Sequence, residues 1–306
     1  MSDMTRRQFM GAAATVAGVS VLPQRAARPE AGAPRIRFGV FADVQYCDCD
    51  PGPTRYYREA LGKAEACVSA FNAQDLAFVV HLGDAIDRDF VSFDTIVPVF
   101  SGLKATGYQV LGNHDYAVDA EKKAEVHARL GMPDRWYAFI HGDWRFVVLD
   151  GNDLSLHGRR PGEPEHTEAQ ALLKAAQERK APQAQLWNGG IGARQLAWLE
   201  GELQDAEAKG QKVVVICHYP VFPENPHNLW NDAELMEAVE RHACVKAWFN
   251  GHNHAGNYGE HNGVHYVTFK GVVETPDTSA HALVEISAAE IHIQGFGREP
   301  DRVLSL

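Results

Sequence analysis

The stretch Leu111-Gly112-Asn113-His114-Asp115 closes a short apolar run and decides how the rest of the chain is interpreted. Four other apolar runs end in the same way, in the clusters Asp43-Val44-Gln45, His81-Leu82-Gly83-Asp84, Cys217-His218-Tyr219 and Gly251-His252-Asn253-His254. In open α/β sheets, ligands bind at the carboxyl ends of the strands. Residues two apart on an extended segment also point to the same side. We therefore expect the five clusters to meet at one rim of a sheet.

Helical patterns separate these apolar runs. Tyr57, Leu61, Ala64, Val68 and Phe71 repeat at helical spacing, which predicts a helix after the first strand. Further helices are expected at 91–103, 168–179 and 195–208, with strands at 35–42, 76–82, 108–111, 144–149, 212–217 and 245–249 and hairpins from 264 onward. No internal repeat and no linker divides the pattern. Residues 34–306 are therefore predicted to form one layered α/β domain.

Composition excludes several classes of function. The chain has 306 residues, of which 45% are hydrophobic and 23% charged, so it can bury a full core. Its formal net charge of −11 argues against general binding to nucleic acid backbones, which requires a basic surface. No stretch is apolar enough to span a membrane. The sequence thus predicts no nucleic acid partner and no stable membrane insertion.

The first 33 residues have the outline of an export signal. Arg6 and Arg7 precede the uncharged run 11–22, and a polar stretch rich in Ala and Pro follows. Twelve residues are too few to cross a bilayer, and the paired arginines resemble the twin-arginine type of signal. We expect export of the 34–306 domain to the periplasm or the medium. The alternative is an unstructured basic N-terminus.

The pattern of the five cysteines does not point to a specific catalytic or metal-binding role. An odd number leaves at least one thiol unpaired within the chain. Cys67 and Cys217 fall at apolar positions and are interpreted as core residues. Cys47 and Cys49 are expected to be too close for an unstrained bridge if the segment is extended, and a redox or soft-metal role for them is left open.

The strand-end clusters together supply the ligands of a metal site. Taken singly, each could be a turn, a helix cap or a satisfied histidine. As a set they offer two carboxylates, two amides and three imidazoles: Asp43, Gln45, Asp84, Asn113, His218, His252 and His254. Seven ligands are too many for one ion and suit two ions that share a carboxylate. Oxygen and imidazole donors without thiolate favour Mn, Fe, Co or Zn. Paired ions of this kind hydrolyse phosphoesters or phosphoanhydrides.

The order of these motifs resembles that of the calcineurin-like metallophosphoesterases over residues 38–255. The resemblance implies a four-layer fold, a β-sandwich flanked by helices. Further motifs are similar to one branch, the manganese-dependent ADP-ribose/CDP-alcohol diphosphatases: Gln45 in the first motif, Arg55-Tyr56-Tyr57-Arg58, Trp187-Asn188-Gly189-Gly190 and Gly271-Val272-Val273-Glu274-Thr275. In one respect the chain departs from that branch, because its loop 47–54 is shorter and lacks an aromatic residue.

The resemblance also implies roles for individual residues. One metal ion, manganese in this branch, would be held by Asp43, Gln45, Asp84 and His254, and the other by Asp84, Asn113, His218 and His252. His114 would lie beside the transferred phosphoryl group, oriented by Asp115. Substrate contacts would involve Tyr57, Arg58, Asn188 and Gly189. The predicted function is hydrolysis of a nucleoside-diphosphate-linked small molecule.

Other functions of the same fold are weighed against this one. The main alternative is another phosphodiesterase or phosphatase, for example one acting on cyclic nucleotides or glycerophosphodiesters. A phosphatase of the purple acid type would have Tyr where this chain has Asp87. A nuclease would require a basic channel, and a binding protein could dispense with His114. The oligomeric state is left open.

Overall fold

Two six-stranded β-sheets pack face to face in the computed structural model, which describes residues 36–306. Side chains alternate between the two faces of the central strand. Phe38 and Val40 point into the core between the sheets, whereas Phe41 packs in a second core on the outer face. Because both faces are covered, the strand is apolar throughout. The predicted export segment, residues 1–33, lies outside the described residues.

The described part of the chain contains twelve strands and six α-helices. The strands are β1 (Ile36–Phe41), β2 (Phe78–His81), β3 (Thr106–Gln109), β4 (Tyr137–His141), β5 (Trp144–Val148), β6 (Lys212–Ile216), β7 (Val245–Asn250), β8 (Asn257–His261), β9 (Val264–Thr268), β10 (Ala280–Ile286), β11 (Glu290–Gly297) and β12 (Arg302–Ser305). The helices are α1 (Glu59–Asn72), α2 (Ser92–Ser101), α3 (Val126–Arg129), α4 (Pro164–Glu178), α5 (Ala193–Ala208) and α6 (Asp232–Glu240).

Both sheets are mixed. The first has the strand order β12-β11-β10-β1-β2-β3, in which β1, β2 and β3 are parallel and β10 pairs with β1 in the antiparallel sense. The second has the order β4-β5-β6-β7-β9-β8, with β5, β6, β7 and β9 parallel. The parallel strands at the centre of each sheet bring their carboxyl ends to a common rim.

Helices cover the outer face of each sheet. Ala64 and Phe71 of α1 pack with the outer side chains of the first sheet, and Leu199 of α5 and Val239 of α6 pack with those of the second. The layers are therefore helix, sheet, sheet and helix. This confirms the predicted α/β architecture, a four-layer β-sandwich flanked by helices.

Four of these elements, α3, α6, β4 and β8, were not predicted from the sequence, and α6 and β8 show why. The helix α6 is nine residues long and buries only Leu235, Ala238 and Val239. The strand β8 lies at a sheet edge and has the sequence Asn-Tyr-Gly-Glu-His, which lacks apolar alternation. Both elements depend on tertiary contacts more than on their own pattern. Among the described residues, no helix has both the length and the apolar character needed to cross a membrane.

Cys47 and Cys49 form a disulfide bond, which corrects the expectation drawn from their spacing. That expectation assumed an extended segment. The backbone bends here, and the two Cα atoms are 5.3 Å apart, within the normal range for a disulfide. Cys67 and Cys217 are free and buried in the core, as predicted.

Candidate metal centre

The strand-end clusters of the two sheets meet at one rim. Within the first sheet, the amide of Asp43 donates to the carbonyl of Gly83 over 3.0 Å. Two contacts cross to the second sheet: His218 Nδ1 lies 2.8 Å from the carbonyl oxygen of Leu82, and the amide of His252 donates to Asp43 Oδ2 over 3.1 Å. The side chains predicted to share a site are therefore brought together by both sheets.

Four of the predicted metal ligands have a left-handed backbone conformation. The φ angle is 53° at Asp43, 47° at Gln45, 58° at Asp84 and 66° at His252. Non-glycine residues seldom adopt this conformation, which costs of order 1–3 kcal/mol each and persists where the surrounding structure enforces it. Such residues cluster at functional sites. Four of the eight non-glycine residues with positive φ in the described part of the chain are thus predicted ligands.

The rim opens into a cavity of about 360 Å³. Polar and aromatic side chains from several loops line it: Gln45, Arg55, Asp84, Asn113, His114, Trp187, His227, His252 and His254. Asp43 and His218 are fully buried at its base. The cavity is within the size range of small-molecule sites, and all seven predicted ligands lie in or directly beneath it.

The predicted ligands approach one another closely. His218 Nε2 lies 3.4 Å from Asp84 Oδ2 and 3.3 Å from Asn113 Oδ1, and His254 Nε2 lies 3.4 Å from Asp43 Oδ1. One possible metal-binding atom from each of Asp84, His218 and His252 lies within 4.8 Å of the other two. Side chains from distant parts of the chain therefore surround a common volume.

The electrostatics of the cavity base favour a positive charge. Asp43 and Asp84 are both fully buried carboxylates, and buried charges require a partner. Burial opposes protonation of His218, but the charges of Asp84 and Asp43 outweigh it and raise the pKa of this imidazole to about 9. The surroundings thus stabilise a cation at the position where a metal ion is predicted.

Gln45 provides a direct test of whether a metal ion fits. Its Nε2 lies 2.9 Å from Asp84 Oδ2 and 3.1 Å from His254 Nε2, while its Oε1 is buried and has no hydrogen-bond partner among the described residues. A buried amide oxygen without a partner is costly. A half-turn of the amide would direct Oε1 toward Asp84 and His254, and a cation there would satisfy all three groups. The donor set therefore fits a divalent ion.

The imidazoles of His218 and His254 are oriented by acceptors behind them. His218 donates from Nδ1 to the carbonyl of Leu82, and His254 Nδ1 lies 2.8 Å from Glu274 Oε1. In the neutral form of each ring the lone pair is then on Nε2, which faces the buried carboxylates. Outer acceptors of this kind are typical of histidines that bind metals.

His114 faces the cavity and is held by Asp87, which sequence analysis did not assign to the site. Its Nδ1 lies 3.0 Å from the carbonyl oxygen and 3.1 Å from Oδ1 of Asp87. Its Nε2 is directed toward Arg55, whose Nη1 is 3.3 Å away. Burial of His114 disfavours its charged form, but Asp84 and Asp87 outweigh this and raise its pKa.

Asp115 does not contact the ring of His114, which corrects the role predicted for it. Its carboxylate accepts hydrogen bonds from the backbone amides of Asp84, Ala85, Ile86 and Gly112 over 2.8–3.3 Å. Through these hydrogen bonds Asp115 links the loop that carries Asp84 to the loop that carries His114. The contact that orients the imidazole comes from Asp87, three residues after Asp84.

None of the four predicted substrate residues lines the cavity. Tyr57 is buried beside Cys47 and Val273, and Gly189 packs so closely on Gly151 that a side chain would not fit. Arg58 points outward and pairs with Asp48 and Asp50. Asn188 is buried, with its Oδ1 2.8 Å from His252 Nε2. Arg55 and Trp187, which are close in sequence to the predicted residues, do line the cavity, and so does His227.

Comparison with known proteins gives consistent matches. The family model of the calcineurin-like phosphoesterases matches residues 36–256. The mouse protein named manganese-dependent ADP-ribose/CDP-alcohol diphosphatase is 29% identical over 90% of this chain and 95% of its own length. A rice protein of the same name is 31% identical over 88% of this chain and 93% of its own length.

A solved structure has the same fold. The crystal structure of a dimetal phosphatase from Danio rerio superposes with a TM-score of 0.80 at 26% sequence identity, covering 88% of this chain and 98% of that one. The family match spans most of the chain and includes all five strand-end clusters. This chain belongs to the calcineurin-like phosphoesterase family and is a metal-dependent phosphoester hydrolase.

Proposed function

We propose that the protein is a two-metal hydrolase that cleaves the phosphoanhydride bond of nucleoside-diphosphate-linked compounds of the ADP-ribose or CDP-alcohol type. The observation that carries the proposal is the position of Arg55 beside His114 in the cavity. Within residues 36–306, Arg55 forms no ion pair with a carboxylate, whereas Arg58 pairs with two. An unpaired guanidinium next to the reaction site suits a substrate with a second phosphate.

The proposed ligand sets share Asp84. One ion would be held by Asp43, Gln45, Asp84 and His254, and the other by Asp84, Asn113, His218 and His252. When bound, such a pair of ions activates a water molecule and stabilises the oxygens of an in-line displacement at phosphorus. The amide and carboxylate oxygens of the set favour Mn, and the curated relatives bear names that state manganese dependence.

His114 and Arg55 would bind the substrate's phosphates from the side of the cavity. Their nitrogens are 3.3 Å apart, so hydrogen bonds of about 2.8 Å can reach oxygens of two adjacent phosphate groups. Asp87 keeps the Nδ1 proton of His114 in place and leaves Nε2 directed at the substrate. His114 can then donate a proton to a leaving oxygen, while Arg55 neutralises the phosphate that is not attacked.

Trp187 would bind the nucleobase. It lines the cavity, and its side chain is 47% exposed although it is a large aromatic residue. The adjacent Leu186 is 63% exposed. Stacking of a base on an aromatic side chain contributes about 1–3 kcal/mol and tolerates different bases. Trp187 thus supplies an aromatic surface of the kind that the short loop 47–54 lacks.

A parallel assay tests the proposed substrate class. We would measure hydrolysis of ADP-ribose, CDP-choline, a cyclic nucleotide and a phosphomonoester by the purified protein with added Mn. The proposal predicts that kcat/KM is highest for one of the two diphosphates. If the cyclic nucleotide or the monoester were hydrolysed more efficiently than both, the protein would be another phosphodiesterase or phosphatase of this fold.

We also propose that residues 1–33 export the protein through a twin-arginine route. The support is Arg6-Arg7 followed by a short uncharged run. Export of an already folded chain would allow the metal to be selected in the cytoplasm. A reporter fused after residue 33 should leave the cytoplasm only when both arginines are intact. Export that is unaffected when both are replaced by Lys would exclude this route.

A further inference from the structure

Asn188 is fully buried between the metal centre and two walls of the cavity. Its Nδ2 donates to the carbonyl of Gln183 over 2.9 Å and to the carbonyl of Pro226 over 2.7 Å. Its Oδ1 lies 2.8 Å from His252 Nε2. Both N–H donors of this amide are therefore used, and its oxygen is directed at His252 rather than at the cavity.

These contacts determine the orientation of the amide and the tautomer of His252. A carbonyl oxygen can only accept, so the two carbonyls fix the NH2 group of Asn188 on their side. The group that faces His252 must then be Oδ1, which also only accepts. His252 must carry its proton on Nε2, and its lone pair is left on Nδ1.

The other histidine of the Gly-His-Asn-His motif is held in the opposite tautomer. His254 donates from Nδ1 to Glu274, so its lone pair is on Nε2. Two imidazoles only two residues apart in sequence thus present different ring nitrogens. The difference is set by Asn188 and Glu274, which belong to separate segments of the chain.

Asn188 also connects His252 to the cavity walls. Trp187 directly precedes it, and Pro226 directly precedes His227; both Trp187 and His227 line the cavity. The hydrogen bond from Nδ2 to Pro226 therefore joins the segment that carries Trp187 to the segment that carries His227. The bond to Gln183 is local to the first of these segments, and Oδ1 joins both to His252.

We propose that Asn188 is a positioning residue that fixes His252 as the Nε2–H tautomer and ties this metal ligand to the two walls that contact the substrate. The inference rests on the proposed function, because it takes His252 as a metal ligand. It differs from the sequence-based expectation that Asn188 contacts the substrate. Outer-shell partners of metal-binding histidines typically change metal affinity about 10–100-fold when removed.

Two variants distinguish the contact of Asn188 with His252 from its hydrogen bonds to the two backbone carbonyls. Asn188→Leu removes the acceptor for His252 and the donors to the carbonyls, whereas Asn188→Asp keeps an oxygen for His252 and loses the donors. The tautomer is read from the side-chain nitrogen NMR signals of the metal-free protein, and the His252 signal is assigned by its loss in His252→Gln. Mn binding is measured by calorimetry, and KM is measured with ADP-ribose.

The expected results differ between the variants. In wild type and in Asn188→Asp, His252 should be the Nε2–H tautomer. In Asn188→Leu that preference should be lost, and one of the two Mn affinities should fall about 10–100-fold. Asn188→Asp should keep its Mn affinity within about threefold of wild type and raise KM, because the walls are no longer joined. Asn231→Leu is the matched control, since Asn231 is a buried amide that bonds Ile191 of the neighbouring loop and has no hydrogen bond to a histidine within residues 36–306.

Each contrary outcome has a defined meaning. An Nδ1–H tautomer in wild type, or an unchanged tautomer in folded Asn188→Leu, would overturn the proposal. If Asn188→Leu does not fold, Asn188→Asp decides, because loss of the tautomer or an unchanged KM there would contradict it. Wild-type protein that binds no Mn would instead refute the proposed function, and the NMR result would still stand.

Discussion

The imidazole of His114 donates from Nδ1 to the backbone carbonyl oxygen of Asp87 over 3.0 Å, and the same nitrogen lies 3.1 Å from the Asp87 carboxylate. Asp87 is almost fully buried, and the charge of His114 lowers the pKa of its carboxyl although burial opposes this. Asp87 therefore favours the charged form of the ring that faces the cavity. How much this proton contributes depends on the bond that is broken.

We predict that His114→Ala affects two substrate types unequally. The phosphate released from an anhydride is a weak base and leaves without much help, whereas the alkoxide released from an alkyl diester requires a proton. General acid catalysis contributes about 10²–10⁴-fold where it is needed. The loss in kcat/KM should be clearly smaller for ADP-ribose than for an alkyl phosphodiester. Equal losses would mean that His114 acts through charge or position alone.

Arg55 is predicted to act on the second phosphate of a diphosphate. Hydrogen bonds to charged groups contribute about 1.5–3 kcal/mol, so Arg55→Gln should reduce kcat/KM for ADP-ribose by about 10–150-fold. The loss should be within about threefold for bis(p-nitrophenyl) phosphate, which has a single phosphate and no such contact to lose. Arg241→Gln is the control, because Arg241 is exposed and pairs with Glu200. A similar loss on both substrates would place Arg55 at the attacked phosphate instead.

Gln45 is predicted to select the metal. A neutral amide oxygen is a harder ligand than an imidazole and favours Mn over Zn or Co. Gln45→His should therefore shift the preferred activating metal toward Co or Zn. Activity would be measured across a series of metal ions added to chelator-treated protein. An unchanged ranking of the metals would refute this role for Gln45.

The sequence predicted those parts of the site that depend on short local motifs. Each strand-end cluster combines a recognisable apolar run with ligand-type residues, so the ligands could be named without knowing the strand order. The partners behind them could not be identified in this way. Asp87 precedes His114 by 27 residues and Asn188 precedes His252 by 64, and these contacts exist only because loops of different strands pack together.

Arg55 and Arg58 show a second limit of sequence analysis. Both belong to one motif, and the sequence alone favoured Arg58 for the substrate. In the structure Asp48 and Asp50 pair with Arg58 outside the cavity, while the backbone of Arg55 forms a β-bridge with Glu274 and its side chain lines the cavity. The assignment of individual strands to one sheet or the other was likewise not predictable, because β1 pairs with β10, far along the chain.

His81 is predicted to make stability depend on pH. Its ring is fully buried between Phe41 and Phe100, neither ring nitrogen has a partner among the described residues, and burial lowers its pKa to about 4. The unfolded chain, with a pKa of about 6.5, binds more protons below that pH, so stability should fall as the pH drops from about 6.5 toward 4.

The expected contribution of His81 is about 2 kcal/mol between pH 7 and pH 5. Urea unfolding of the metal-free protein would be compared at these two pH values for wild type and His81→Phe. The variant should lose less stability on acidification. Parallel losses in the two proteins would show that His81 is not the group responsible.

The most direct test of the account is the metal content of Asp84→Ala beside that of wild type. Asp84 is fully buried, contacts His218 and Gln45, and is the one carboxylate common to both proposed ligand sets. After incubation with Mn and removal of the excess, elemental analysis should find two ions per chain in wild type and fewer than one in Asp84→Ala, with loss of activity. One ion per chain in wild type, or two ions and full activity in the variant, would contradict a shared two-metal centre.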